Sequence, residues 1–457
     1  MSETGYDAII IGAGLGGLST GAFLAKAGKR VLVLEKTGHI GGRCRAVQLM
    51  GHSFDIGADF FGRALLKTYR ELGRAKDIKP VKFKVLSEVD GKTMATPPGL
   101  HTLGELRGMG MSSGETAGFG YRMFRRLVIK SYKKYSTNYE LATYIAANND
   151  LRELLNIGAF FSGNEPENMP AYWFDLIFGS TYGYDRPFYP DGGSSRIPEV
   201  LADVICENGG GIVYNASPQK IIIENGMSKG VLLNGRVIGA SVVISGIGIN
   251  TTVHSLVGKE HFPQGFLNTM GYYKEGLAMA SVFTVFKRGV GIKKGTHVYA
   301  RFTRDMRGMF KALKDGRFPD DSMAIFSCPD AVIDPGTEHL AGTVKFLLPK
   351  DGAERPAIEA EAEKVLKNMD VLVPGFYSGI VEKKVYTHRD YVENFGFASL
   401  VSPIAESVNY EKFGPEMPVK GLYCAGSTVL PNGGCTVSAV ESGRFCAKAV
   451  LKFISTS

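Results

Sequence analysis

Tyr6-Asp7-Ala8-Ile9-Ile10-Ile11 runs straight into Gly12-Ala13-Gly14-Leu15-Gly16-Gly17, and the reading of this stretch decides the fold. An apolar, β-branched run feeding a G-x-G-x-x-G predicts a strand, a tight turn and a helix, the helix extending over 18–26. A second apolar run, Val31–Leu34, ends on Glu35, 18 residues after Gly17. Each part meets a physical need. Gly12 permits the turn, Gly14 lets backbone approach a pyrophosphate, and Gly17 lets the helix lie against the strand. The helix N-terminus offers free N–H groups and a positive dipole end to phosphate, and Leu15 and Gly16 of the loop leading into it are expected cofactor contacts. Glu35 is placed to accept hydrogen bonds from a ribose diol. A lone glycine fingerprint means little in a chain with 58 glycines. Strand, glycines, helix, strand and acid in this order predict a dinucleotide site.

Working outward, Glu35-Lys36 leads to Gly38, then to Gly41-Gly42-Arg43, and later to Phe54-Asp55-Ile56-Gly57-Ala58. At the far end stand Gly421-Leu422-Tyr423-Cys424-Ala425-Gly426-Ser427, Pro431-Asn432-Gly433-Gly434-Cys435 and Ser438-Ala439-Val440-Glu441-Ser442-Gly443. With these two blocks the chain resembles the FAD-dependent amine oxidase/phytoene desaturase superfamily. The nearest likeness is to its phytoene desaturase-like, carotenoid- and retinol-type oxidoreductases. The resemblance implies FAD as cofactor and an N-terminal signature ending in a G-G-R element. It also implies a C-terminal strand, A-G pair and glycine-opened helix closing over the flavin. On that likeness Gly57, Ala58, Gly426, Ser427, Gly434, Cys435, Thr436 and Val437 join Gly42 and Arg43 as cofactor contacts. Lys36 and Arg43 are candidates for phosphate neutralisation. Asp55 is expected to order the turn before Gly57-Ala58.

Composition agrees. A chain of 457 residues, 44% hydrophobic, has material for two cores. The six cysteines show no C-x-x-C and no disulfide-like density, so a reducing cytoplasm is the default expectation. The eight histidines form no ligand spacing, and no metal site is expected. The N-terminus shows no basic segment followed by an apolar signal core. No apolar run approaches the ~20 residues of a spanning helix. The nearest, 276–286, reads as a strand.

The middle of the chain returns once to the nucleotide-binding part. Asp191-Gly192-Gly193 precedes a helix expected over 195–207, with Ile197, Val200, Leu201, Val204 and Ile205 on one face. Ile212-Val213-Tyr214 reads as a strand. Lys220–Glu224, 230–233 and 237–238 alternate with Asn225-Gly226 and Asn234-Gly235 as an antiparallel meander, and 242–245 as a buried strand. This order resembles the family's second FAD-binding portion, in which the residue matching Pro218 gives a backbone N–H to adenine. Proline has none. Either the adenine contact is made elsewhere or the correspondence slips by one residue.

The expected architecture is α/β: a Rossmann-like FAD-binding domain built from three separate segments, 1–80, 191–254 and 411–457. Residues 81–190 and 255–410 then form a mixed-sheet and helical substrate domain. Residues 121–135 carry six Arg or Lys and no acid, interleaved with Met123, Phe124, Leu127, Val128 and Ile129. As a helix this stretch has the character of an interfacial membrane anchor, or of a solvated helix packed on its own sheet. Residues 287–317 repeat the pattern, with Phe302, Met306, Met309, Phe310 and Leu313 between basic residues. The net charge of +8 favours anionic headgroups mildly. No nucleic-acid module is recognised, and no nucleic-acid partner is expected. Localisation is expected to be cytoplasmic, with peripheral attachment to the inner face of a membrane as the extended form of that reading. The aromatic residues Phe160, Phe161, Tyr172, Trp173, Phe174, Phe178, Tyr182, Tyr184, Phe188 and Tyr189 line either a tunnel or an ordinary core.

The chemistry implied by the resemblance is hydride transfer between a long apolar, isoprenoid or carotenoid-like substrate and flavin N5, as desaturase or saturase. No catalytic residue is nominated, because no Ser/His/Asp or Cys/His arrangement appears. Amine-oxidising relatives carry an aromatic residue where this chain has Cys435, which weakens the alternative of a flavin amine oxidase acting on a soluble amine. A non-catalytic flavin-binding scaffold is the third reading. His388-Arg389-Asp390 and Tyr391 read either as a surface turn or as residues facing the active site, the surface turn being preferred. The electron donor or acceptor is left open.

Overall fold

The computed structural model describes residues 5–129, 136–182, 187–395 and 411–456. Two seven-stranded sheets organise it. In the first, Leu422–Cys424, Arg236–Ser245, Tyr6–Ile11, Val31–Leu34 and Gly211–Val213 lie side by side and parallel. Their register brings the C-terminal ends level. Cys424 pairs with Ser245, Ser245 with Ile11, Ile11 with Leu34, and Leu34 with Val213. All five strands therefore end on one line, and the loops leaving them open on one edge. In open α/β sheets that edge is where ligands bind.

The expected helices and turns are largely present. The first helix spans Leu15–Lys26 and the middle one Arg196–Glu207, with Ile197, Val200, Leu201, Val204 and Ile205 buried. Asn225-Gly226 and Asn234-Gly235 take positive φ at both positions, as two-residue hairpins require. The first helix starts three residues earlier than expected, and two expected strands are one. The meander's last strand and the buried strand 242–245 are a single strand, Arg236–Ser245. Its first half pairs with Met227–Leu233 and its second half with Tyr6–Ile11. A strand that long serves both partners because it leaves one neighbour where it meets the next.

The second sheet runs in the order Ile380–Tyr386, Met279–Lys287, His339–Leu347, Ala324–Ser327, Thr296–Phe302, Lys84–Val89, Lys92–Thr96. It is mixed: Thr296–Phe302 is parallel to Lys84–Val89, and the other neighbours are antiparallel. The apolar run at 276–286 is the strand Met279–Lys287, buried along nearly its whole length. Helix Arg355–Asn368 covers one face of the sheet through Ile358, Ala362 and Val365. The hairpin Ala46–Leu49/His52–Asp55 covers part of the other, Phe54 meeting Phe283 edge-on at 5.2 Å. The chain after the glycine fingerprint is thus clamped between the two sheets.

His388-Arg389-Asp390 opens the helix His388–Phe395 rather than a surface turn. Asp390 accepts from the Thr387 N–H at 2.6 Å, and Tyr391 is buried with its hydroxyl 2.9 Å from Ser281 Oγ.

Candidate functional site

The five loops on the aligned edge build a cradle from backbone. Gly12 turns the chain at φ +94°. A Cβ on Gly17 would collide with the Gly12 carbonyl, so glycine is what lets the helix fold back onto its own strand. A Cβ on Gly16 would stand 2.5 Å from Gly426 N and Cα, and one on Gly443 would strike Gly16 O. The helix Thr436–Thr456 can approach the first helix only because these positions lack side chains. Ser19 Oγ donates to Val440 O at 2.8 Å across that contact. Gly14 is different: a Cβ there meets no protein atom within 4 Å. It faces open space at the start of a helix with no side-chain cap and no acid in its first turn. Free N–H groups beside empty room fit a phosphate group.

Glu35 is buried, its backbone N–H bonded to Val213 O at 2.9 Å. Its Oε2 accepts from Ala13 N at 2.8 Å, and Oε1 from the backbone and hydroxyl of Thr37 at 2.9 and 2.8 Å. The carboxylate is held against the glycine loop and retains lone pairs for a diol. Gly41 N bonds to Ala13 O at 2.7 Å, bringing the Gly41-Gly42 loop over the fingerprint. Gly42 (φ +56°) packs on Gly14 Cα, at the distance where a Cβ would make ordinary contact. Next to it, Arg43 donates to Ser427 Oγ at 3.0 Å. Desolvation draws the Arg43 guanidinium pKa below its usual value, and the opposite charge of Glu275 works against that. Gly57 sits where a Cβ would collide with Arg43 O, and Ala58 N donates to the same oxygen at 3.2 Å. Gly434, Cys435, Thr436 and Val437 are half-buried at the start of the last helix, Cys435 Sγ 3.6 Å from Ser438 Oγ.

Two expected contacts stand apart. Lys36 lies beyond the end of the strand Val31–Leu34, is exposed, and makes no hydrogen bond or ion pair among the described residues. Pro218 is buried just before the strand Lys220–Glu224 and has no N–H to give. A slip by one residue does not help on the C-terminal side, since Gln219 N already donates to Leu232 O at 2.8 Å. Ser217, exposed on the other side, has an N–H that makes no hydrogen bond among the described residues.

Beneath the cradle lies a buried polar cluster. Lys345 Nζ is 2.6 Å from both carboxylate oxygens of Asp59 and 2.9 Å from Gly57 O. Ser327 Oγ adds a bond to Asp59 at 3.0 Å, and His297 Nε2 meets the Asp59 carbonyl. Burial holds the His297 imidazole below its usual pKa. Asp55 accepts from Tyr189 OH at 2.6 Å and from Ser194 Oγ. It therefore ties down the 188–195 segment as well as the turn before Gly57. Burial raises its carboxyl to about 7, the two hydroxyl bonds pulling the other way. On the opposite wall the buried Lys412 ammonium bonds to Ser427 O at 2.7 Å and Gly433 O at 3.1 Å, fixing two glycine loops. The sequence carried one faint signal for this set: Lys345 stands between the apolar residues Val344 and Phe346 in the strand His339–Leu347. Asp59 and Lys412 had none.

An apolar cluster leads away from the cradle. Phe60, next to Asp59, packs on Phe161 and Phe83 at ring distances of 5.8 and 6.3 Å. On the far wall, Leu176 reaches within 2.9 Å of where a Gly433 Cβ would stand. Phe160, Trp173, Phe174, Phe178 and Tyr189 belong to the same cluster, whereas Phe188 packs under the first sheet. Tyr184 and the Tyr182 side chain lie outside the described residues.

Comparisons with known proteins agree with this geometry. The family model described as flavin containing amine oxidoreductase matches residues 15–451. A chloroplastic prolycopene isomerase from an Oncidium hybrid cultivar is 26% identical, over 97% of this chain and 84% of that protein. A zeta-carotene-forming phytoene desaturase from Myxococcus xanthus is 24% identical, over 95% and 92%. Among solved structures, an oxidoreductase from Methanosarcina mazei superposes with a TM-score of 0.72 at 20% identity, covering 97% of this chain and 99% of that one.

Proposed function

This chain belongs to the flavin containing amine oxidoreductase family and is an FAD-dependent oxidoreductase, and we propose that it desaturates or saturates a carbon–carbon bond in a long apolar, isoprenoid-like substrate. The observation that carries the reading is the apolar cluster reaching both walls of the cradle, through Phe60 on one side and Leu176 on the other. Relatives named for prolycopene and phytoene support the substrate class. Residues 1–80, 191–254 and 411–457 would form the cofactor domain, and 81–190 with 255–410 the substrate domain.

FAD, when bound, supplies a hydride acceptor or donor at N5. The chain's own residues do the rest. The N–H groups of Leu15 and Gly16 would hold the pyrophosphate, and Glu35 the ribose. Arg43 and Ser427 would orient the flavin end from opposite loops. Lys345 and Asp59 keep the Gly57-Ala58 backbone in place from below. The aromatic cluster orients an apolar chain and keeps water from the reacting carbons. Cys435 at the start of the last helix gives no aromatic wall for an amine. Because such a substrate dissolves in lipid, peripheral contact with a membrane belongs to the same reading.

The test is anaerobic. Oxidised flavoprotein is mixed with micellar phytoene, and photoreduced flavoprotein with a micellar carotene; a change in flavin absorbance in either direction is the expected result. Bleaching by polyamines with no response to either polyene would refute the substrate class in favour of an amine. Silence towards all three would leave a flavin-binding scaffold.

A further inference from the structure

We infer that the outer face of the helices Leu100–Gly108 and Ser113–Leu127, with the residues just after, is a docking surface for an anionic lipid bilayer. The inference rests on the lipid-dissolved substrate proposed above and says where the protein meets that lipid.

The second of these helices is apolar on both sides: Phe119, Met123 and Leu127 pack on the core, and a second set of large apolar residues faces out. Arg126 points inward, buried, with its guanidinium 2.8 and 2.6 Å from the two Asp175 oxygens, and Met123 packs beside it. The opposite side presents Ala117, Tyr121, Phe124 and Val128 to solvent at helical spacing, followed by Ile129. Tyr121 is 60% exposed, Phe124 51% and Ile129 57%. On the neighbouring helix Leu100 and Leu103 are 95% and 54% exposed. Seven of the sixteen exposed large apolar side chains among the described residues fall between 100 and 144. Single exposed apolar residues are ordinary; a concentration of this kind marks an interaction surface.

The other basic-amphipathic stretch shows what the ordinary arrangement looks like. In helix Met306–Lys314 the apolar residues Met306, Met309, Phe310 and Leu313 are buried. Three of the basic residues around it are paired: Arg304 with Asp90, Arg307 with Glu167, Lys314 with Glu165. That stretch is a solvated helix on its own core.

Charge and position select the occupant. Arg107 and Arg125 are exposed on the two helices, Arg125 lying 5.8 Å over the Tyr121 ring. Glu105 turns back to accept from Ala95 N at 3.1 Å, and Glu115, still ionised, caps its own helix at Ser112, at the opposite end from Arg125. Two exposed arginines beside an apolar stripe are complementary to anionic headgroups over acyl chains. A second copy of a chain with net charge +8 would meet the same two arginines. The inner sides of the helices, through Leu106, Met109 and Met123, also belong to the apolar cluster that reaches the cradle. Lipid on the outer face would therefore lie one helix away from the substrate's path.

The test is co-sedimentation of the FAD-loaded protein with phosphatidylcholine vesicles, with and without a third phosphatidylglycerol. Wild type is expected to bind the anionic vesicles, more weakly as salt rises. The double variant Phe124→Asp/Val128→Asp is expected to lose at least about tenfold in partitioning, with flavin absorbance and melting temperature unchanged. Arg107→Glu/Arg125→Glu should lose the salt-dependent part alone. Equal binding by wild type and the aspartate variant would overturn this face as the docking site. So would no vesicle binding at all, or a dimer that the aspartate variant dissolves. The micellar flavin assay needs no bilayer, so failure here and failure of the substrate reading are read separately.

Discussion

Replacing Lys345 with Met should destabilise the protein and loosen its hold on FAD, and the size of the effect can be worked from the contacts. The ammonium lies 2.6 Å from both Asp59 oxygens and 2.9 Å from Gly57 O. Both side chains are about 5% exposed. Methionine fills the volume but leaves a buried carboxylate with Ser327 as its remaining side-chain donor. Breaking a buried pair from one side costs about 3–5 kcal/mol. Exchanging both partners for apolar residues is commonly near neutral, so Lys345→Met/Asp59→Leu should lie within about 2 kcal/mol of wild type. A double-mutant cycle should then show a coupling of at least ~2 kcal/mol. Urea unfolding followed by the fluorescence of the single tryptophan, Trp173, buried in the substrate-side core, reads the stability. FAD retention on a desalting column reads the cradle, since the lysine also pins the Gly57 carbonyl. A single variant costing under ~1 kcal/mol, or a double variant as damaged as the sum of the two singles, would refute the reasoning.

Further outcomes are expected at two glycines and one acid. Gly14→Ala should leave apoprotein stability within about 1 kcal/mol, because its φ of −72° suits alanine and nothing crowds the new methyl. It should weaken FAD binding about 10-fold or more by costing one charge-assisted N–H contact, as isothermal titration would show. Gly16→Ala, driven into the Gly426 backbone, should instead impair folding itself; an unaltered melting temperature would contradict that contact. For Asp55, whose carboxyl burial raises to about 7, the sign runs against the usual acid. Between about pH 4 and 7 the folded protein keeps a proton that the unfolded chain has lost. The Asp55 contribution to stability should therefore fall as pH rises through that window, by up to about 4 kcal/mol, and level off above it. The stability difference between wild type and Asp55→Asn, measured in denaturant at several pH values, should change with pH in that direction; a pH-independent difference would show that the group is not buried in this way.

How far the chain could be read in advance divides along a physical line. The cradle was legible because its chemistry is local. A fingerprint glycine answers to atoms a few residues away, as Gly17 does to the Gly12 carbonyl, and the acid that completes the motif lies at the end of the next strand. Even the match between the two ends rests on glycines, Gly16 against Gly426 and Gly443, whose need for close approach is visible in composition. The cluster under the cradle was not legible. Asp59 and Lys345 are 286 positions apart, and nothing near either one says that the other will neutralise it. Lys36, basic and beside the ribose acid, reads as a phosphate candidate on a par with Arg43, yet it lies past the end of its strand and faces solvent, whereas Arg43 is held at Ser427.

Helix Ser113–Leu127 marks the boundary most clearly. Residue spacing predicts a basic side and an apolar side, because 3.6 residues per turn is a property of the backbone alone. In the fold Phe119, Met123 and Leu127 face the core, Asp175 on another helix draws Arg126 in beside them, and Tyr121, Phe124 and Val128 are left outside, which is a fact about assembled neighbours. Periodicity gives a helix its faces. Only packing, which sets long-range partners against solvent, gives them a direction.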